Sequence, residues 1–280
     1  MQKRRSLLVA LALVLAAASL SAQTKGNVTF GGLKNLEFIN NFYNGGTGSL
    51  GSGPAAKNLQ LTFSANAQVI ISAAKGGSGN FINNPGGYPV TFFASGSGVV
   101  MNAAAGISTG LWFTYSAVQA GTVTIYSGPN ATGTVLGSAT LAPNNTGCTG
   151  YKMCVWTPVG FPLTSTVGSI RFSGAANYLA IGALHLAVKL PTFIDLISSA
   201  NPSPSGQAVT FTAAVSATGT APVGTVRFKA LNKTVGEVTV VGGIAQITLN
   251  SLPPGTSKIT AIFRGTGFVT STTTLQQTVD

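Results

Sequence analysis

Beyond an apolar N-terminal stretch, no window of useful length repeats apolar residues at helical spacing. Val, Thr, Phe and Ile instead recur in short alternating runs between turns rich in glycine and proline. A period of two sends successive side chains to opposite faces of a strand. With 36 glycines and 13 prolines to end such runs, the expectation is an all-β protein of many brief strands. The 280 residues allow two domains of ordinary size. A boundary is legible near Lys189, Leu190 and Pro191.

In residues 192–280 the alternation reads as QAVTFTAAV, GTVRFKAL, TVGEVTV, GIAQITL, SKITAIF and TSTTTLQQTV, with Phe193 to Ile197 as a seventh strand. Val209, Phe211, Val226, Phe228, Ile259 and Phe263 are expected inward. Seven strands in about ninety residues is the count of an immunoglobulin-like sandwich. NPSPSGQAVTFTAAV, PVGTVRF and LPPGTSKITAIFRGTGFVTSTT together resemble the bacterial Ig-like domain that occurs in tandem on exported surface proteins. The sequence departs from that pattern at Thr266, where an Asp is usual, and at Phe263, where a Tyr is common.

Residues 24–190 hold about eight more readable strands, with turns every 8 to 12 residues, and a jelly-roll-like sandwich is expected. NNFYNGGTGSLG, the LTFS strand, GGSGNFINNPGG, GLWFTYS and TIYSGPNATGTVL resemble the N-terminal β-domain of exported proteins that often end in a PEP-CTERM sorting tail. The sequence ends at Asp280 without such a tail. Where that family closes its domain on acidic residues, this chain reads Ile181-Gly182-Ala183-Leu184-His185-Leu186.

Composition narrows function. Only four acidic residues, Glu37, Asp195, Glu237 and Asp280, and one histidine, His185, occur in the chain, far apart in sequence. General acid/base, nucleophilic and hard-metal chemistry draw on convergent carboxylates or imidazoles. The expectation is therefore a protein that is not an enzyme and needs no cofactor or metal. Residues 1–22 have a basic start, an apolar run and small residues at the end, the layout of a cleaved secretory signal. The run is too short to span a bilayer, so no transmembrane segment is expected after cleavage. Losing Lys3, Arg4 and Arg5 leaves 12 basic against 4 acidic residues, a charge of +8. That sign favours acidic polymers weakly. No dense basic cluster interleaved with aromatics marks nucleic-acid binding. Cys148 and Cys154, in CTGYKMC, are expected to form a disulfide in an exported chain.

Candidate sites follow from the remaining polar and aromatic residues. GTGSLG, Gly46 to Gly51, has G-x-G-x-x-G spacing without the strand, helix and acidic residue of a dinucleotide site, and reads as a flexible loop. Glu37, Asn40, Asn41 and Asn44 are either a thin calcium site or turn chemistry. Trp112 should point outward, since Leu111, Phe113 and Tyr115 take the core face. It is either a sugar-stacking platform, extended by Tyr43, Tyr88 and Trp156, or covered by a loop or the neighbouring domain. Arg227, Lys229, Lys258 and Arg264 should share one outer face, for an acidic polymer or for solubility. The expected function is a secreted, non-catalytic bacterial surface or extracellular-matrix protein acting in adhesion or presentation, with extracellular polysaccharide or a surface protein as partner. The alternative is a carbohydrate-binding module using Trp112.

Overall fold

The computed structural model describes residues 23–280, and the leader read at residues 1–22 lies outside the described residues. The N-terminal part contains β1 (Gly26–Val28), β2 (Leu61–Phe63), β3 (Gln68–Ile70), β4 (Val90–Phe92), β5 (Gly98–Ile107), β6 (Gly110–Ala117), β7 (Gly121–Tyr126), β8 (Val135–Leu141), β9 (Thr157–Pro162), β10 (Val167–Ser173) and β11 (Leu179–Leu186). One antiparallel sheet runs β3-β4-β11-β6-β9, with β1 also on β11, and the other runs β2-β5-β10-β7-β8. The chain changes sheet at every step from β1 to β11 except β3 to β4 and β7 to β8. That alternation is the jelly-roll pattern.

The inward faces meet in one core in which Phe30, Phe113 and Phe172 are at most 1% exposed. Phe113 of one sheet meets Phe172 of the other edge to face, with ring centroids 5.1 Å apart. Aromatic pairs prefer this geometry, and each fully buried phenylalanine contributes roughly 1.5–3 kcal/mol of apolar transfer energy.

The C-terminal part contains β12 (Thr192–Ser198), β13 (Val209–Ala217), β14 (Thr225–Ala230), β15 (Lys233–Thr239), β16 (Ile244–Leu249), β17 (Gly255–Arg264) and β18 (Ser271–Val279). They form sheets β12-β13-β16 and β15-β14-β17-β18, seven strands in an immunoglobulin-like sandwich. Val209, Phe211, Val226, Phe228, Ile259 and Phe263 are all fully buried in its core.

Two features matter for function. First, the outer face of the sheet containing β11 carries its own layer. Phe81, Val90, Met153 and Ala180 form a separate buried cluster, flanked by Ile70, Val118 and Trp156. The segment around Phe81 bridges Met153 in parallel, and Ile82 N–H donates to Met153 O at 3.0 Å. The loop that supplies Met153 is closed by the Cys148–Cys154 disulfide, whose Cα atoms are 5.5 Å apart.

Second, the linker is tied on both sides. Val188 N–H donates to Gly110 O, and Leu190 N–H donates to Gly267 O at 2.8 Å. Leu190 is fully buried and belongs to the second core, and Gly160 N–H donates to Gly219 O at 3.0 Å, tying β9 to the second sandwich.

Opening the disulfide tests the first feature. Cross-linking so short a loop is worth about 2 kcal/mol in the chain-entropy account. Cys148→Ser/Cys154→Ser is expected to lower the N-terminal melting temperature by roughly 4–8 °C and to raise hydrogen exchange at Ile82 and Lys152. The core strands β5 and β10 should stay protected. Unchanged exchange at Ile82 would show that the loop docks without its cross-link.

Candidate binding surface

The carboxylates are placed apart, and Glu37 and Glu237 are each bound into the fold. Glu37 is fully buried. Its Oε2 accepts from Lys34 N–H at 2.7 Å, and its Oε1 accepts from Leu50 N–H at 2.8 Å and Ser52 N–H at 3.0 Å. Burial pushes its pKa up, but hydrogen bonds from the Ser52 hydroxyl and the Lys34, Ser52 and Leu50 amides outweigh that and hold it below the ordinary carboxylate value. The GTGSLG segment is thus the wrapping of a buried anion. A Cβ on Gly48 would lie 2.4 Å from Glu37 Oε1, which is why a glycine stands there. Oxygens that already accept three N–H groups do not face a cation, so of the two readings of this loop the structure supports turn chemistry.

Glu237, on β15, pairs with Arg227 across the ladder, 3.2 Å from Nη2. The Thr225 hydroxyl first, and then Arg227, lower its pKa. Asp195 projects from the outer face of β12, on the other sheet of the same sandwich. Asp280 ends the chain. Among the described residues, no three of His, Cys, Asp and Glu gather in one place.

His185 and Trp112 meet in a way the sequence did not show. The β6–β11 register sets them directly opposite each other, and their rings stack with centroids 3.8 Å apart and planes 10° from parallel. The β1–β11 register brings Asn27 to the other side, its Oδ1 3.0 Å from His185 Nδ1. Burial lowers the His185 pKa. On the far side Trp112 pairs with Gly160, above which Leu190 and Thr218 of the second sandwich sit. Trp112 points outward as expected, but it is half-buried, one ring face on His185 and its flank at the domain junction. Thr114, two residues on and so on the same face of β6, is buried at 7% exposure.

The other aromatics divide. Tyr43 is not a surface contact: it is 4% exposed, packs edge to face on Phe30 and Phe42, and its hydroxyl accepts from Phe30 N–H at 2.8 Å. Trp156 is half-buried against Phe81, and its Nε1–H donates to Ile82 O at 2.9 Å. Tyr88 is 46% exposed. It stands at the mouth of a cleft of about 230 Å³ between residues 71–75 and 81–89, with Phe81 and Ile82 inside and Lys75 and Asn83 on the rim.

The loop carrying Tyr88 is held by Lys75 Nζ on Gly87 O at 2.5 Å and by Asn84 Nδ2 on Tyr88 O at 2.8 Å. The opposite atom of that amide, Asn84 Oδ1, is buried without a donor among the described residues. Sequence reasoning passed over Asn84. NPGGYP announces a turn, and nothing in it says which side chain turns inward to brace it.

Arg227, Lys229, Lys258 and Arg264 do share one face. The β14–β17 register places Arg264 opposite Thr225 and Lys229 opposite Thr260, and all four point away from the core. Lys258 and Arg264 are exposed, whereas Arg227 and Lys229 are half-buried and Arg227 is engaged by Glu237.

Residues 196–280 match the family model described as "Bacterial Ig-like domain (group 3)". No curated protein matches the chain. Solved structures that match the chain include the fibronectin(III)-like modules of Clostridium thermocellum CbhA, at 15% identity over 30% of this chain and 95% of that one, TM-score 0.23. Another is the Endo-D glycoside hydrolase domain from Streptococcus pneumoniae R6, at 10% identity over 90% of this chain and 43% of that one, TM-score 0.32. A third is a family 6 carbohydrate-binding module, at 16% identity over 45% of this chain and 86% of that one, TM-score 0.29. This chain therefore spans less than half of the Endo-D structure, and at such scores none of the three bears on function.

Proposed function

We propose that this chain is an exported, non-catalytic bacterial surface or extracellular-matrix protein, in which two joined sandwiches present polar, low-charge faces for adhesion. The observation that carries the reading is how the proton-handling groups are placed: Glu37 anchors a loop, Glu237 pairs with Arg227, His185 stacks on Trp112, and Asp195 stands alone on an outer face. Such groups are bound into the fold or isolated rather than aimed at a shared reacting atom. The disulfide supports export, since such bonds persist in oxidising compartments. The Ig-like match at residues 196–280 supports a surface role.

The test uses residues 24–280 carrying a fluorescent label. Retention on bacterial extracellular-polymer preparations, weakened at 0.5 M salt because the chain is basic, is the expected result. No reducing ends should appear on a polysaccharide panel. Turnover on any member of that panel would replace the reading with an enzyme, and free passage of the label would remove adhesion.

A second reading, carbohydrate binding, is favoured by the exposed ring of Tyr88 beside its cleft rather than by Trp112. On a glycan array, Tyr88→Ala should then abolish a signal that Trp112→Ala retains. The reverse pattern would return the platform to Trp112, and an empty array would discard it.

A further inference from the structure

We propose that the outer face of β12-β13-β16 is a docking surface for a second copy of this chain, received by the outer face of β14 and β17 in a front-to-back stack. Phe193 and Ile197 flank Asp195 on β12 and are 68% and 64% exposed, although every residue of this edge strand pairs with β13. The register continues the row across the sheet from Asp195 through Ala214 to Ile244, itself 40% exposed, with Val241 beside it at 75%. The rest of the face is short and flat, Thr210, Thr212 and Thr248 with Gln246. Contiguous exposed apolar side chains around one carboxylate mark an interaction surface more than a solvated one.

Charge selects the occupant. The patch carries a negative group, so its partner offers positive charge around an uncharged centre. This chain has such a surface on the reverse of the same sandwich, where Lys229, Lys258 and Arg264 lie around Thr260 and Ile262, with Arg227 there paired to Glu237. The basic row is long enough to cover the patch: Phe193 to Ile197 spans about 14 Å of strand and Lys258 to Arg264 about 20 Å. Two different faces of one molecule meet in such a contact, so it is heterologous and propagates rather than closing as a dimer. A face this small gives association of the weak, transient class.

Sedimentation velocity of residues 24–280 between about 10 μM and 1 mM should show a sedimentation coefficient that rises with concentration. Phe193→Ser/Ile197→Ser should remove the rise, and Asp195→Lys and Arg264→Glu should each weaken association at least tenfold. These side chains are exposed, so unchanged melting curves identify the variants as folded. Mixing Asp195→Lys with Arg264→Glu should restore association, since the unaltered acidic face of one variant then meets the unaltered basic face of the other. A single sedimenting species for the wild type at 1 mM would overturn the proposal. So would association that survives Phe193→Ser/Ile197→Ser, or a mixture that fails to recover.

Discussion

Replacing Glu37 with alanine is expected to lower the melting temperature of the N-terminal sandwich by roughly 10 °C. The carboxylate gathers the amides of Lys34, Leu50 and Ser52 from both ends of the 34–52 loop. A buried donor left without an acceptor costs about 1–3 kcal/mol, somewhat less where water can reach it. With one of the three bonds buried and two partly so, the loss is about 3–4 kcal/mol. In a sandwich of this size each kcal/mol moves the melting temperature by roughly 2–4 °C. Glu37→Gln keeps one accepting oxygen but turns an NH2 group toward an amide, and should cost about half as much.

The pH dependence carries a definite sign. The folded-state pKa of Glu37 is lowered, so its contribution is fully present above the unfolded value of about 4.3 and is lost as pH falls through the folded value. The gap between wild type and Glu37→Gln should therefore be constant at neutral pH and narrow only in acid. A shift below about 2 °C at pH 7, by calorimetry or circular dichroism, would mean that the loop holds its shape without the anion.

The strands were largely legible because alternation is a local signal. All seven strands of the C-terminal sandwich appear where the apolar positions alternate, and the inward residues named from sequence are the buried ones. Two N-terminal strands were not read, and the run 58–72, read as one strand, breaks into β2 and β3 on opposite sheets. β1 is three residues long, and β9 contains Pro158 and Pro162. Proline removes a ladder donor, so a run that contains it reads as a loop unless the strand lies at an edge, as β9 does.

The candidate surface was legible only in part, because its contacts join residues far apart along the chain. Outward pointing of Trp112 follows from alternation. Its stacking on His185 follows from the register of β6 against β11, which no local pattern fixes. The covering of Thr114 and Trp156 depends on an outer layer of irregular segments, where neither period operates. Glu37 offered the reverse lesson: a glycine spacing that formally matched a nucleotide motif marks a loop folded tightly round a carboxylate.

Gly219→Val is expected to detach the two sandwiches from each other while leaving both folded. A Cβ at Gly219 would lie 2.5 Å from Gly160 N and 2.6 Å from Val159 C, and backbone atoms in a paired strand cannot yield. The residue also has φ +73°, a conformation that β-branched side chains resist. Overpacking costs about 1–3 kcal/mol and the left-handed backbone a further 1 kcal/mol or more. Because the obstruction lies between sandwiches rather than inside either core, separation relieves it. The bond from Gly160 N–H to Gly219 O should break, and the ties at Leu190 would then have to hold the linker alone.

Small-angle scattering should report a larger maximum dimension, and calorimetry should resolve two transitions for the variant and one coupled transition for the wild type. Gly206→Val is the control, since φ is +79° there and nothing lies within 4 Å of the added Cβ. It bears the backbone strain without touching the junction, and its scattering curve should match the wild type. If Gly219→Val also matches, the sandwiches are held by the linker alone. If it differs as expected, the fixed angle is a property of glycine packing at β9, and adhesion assays on the same variant would measure what rigid presentation contributes.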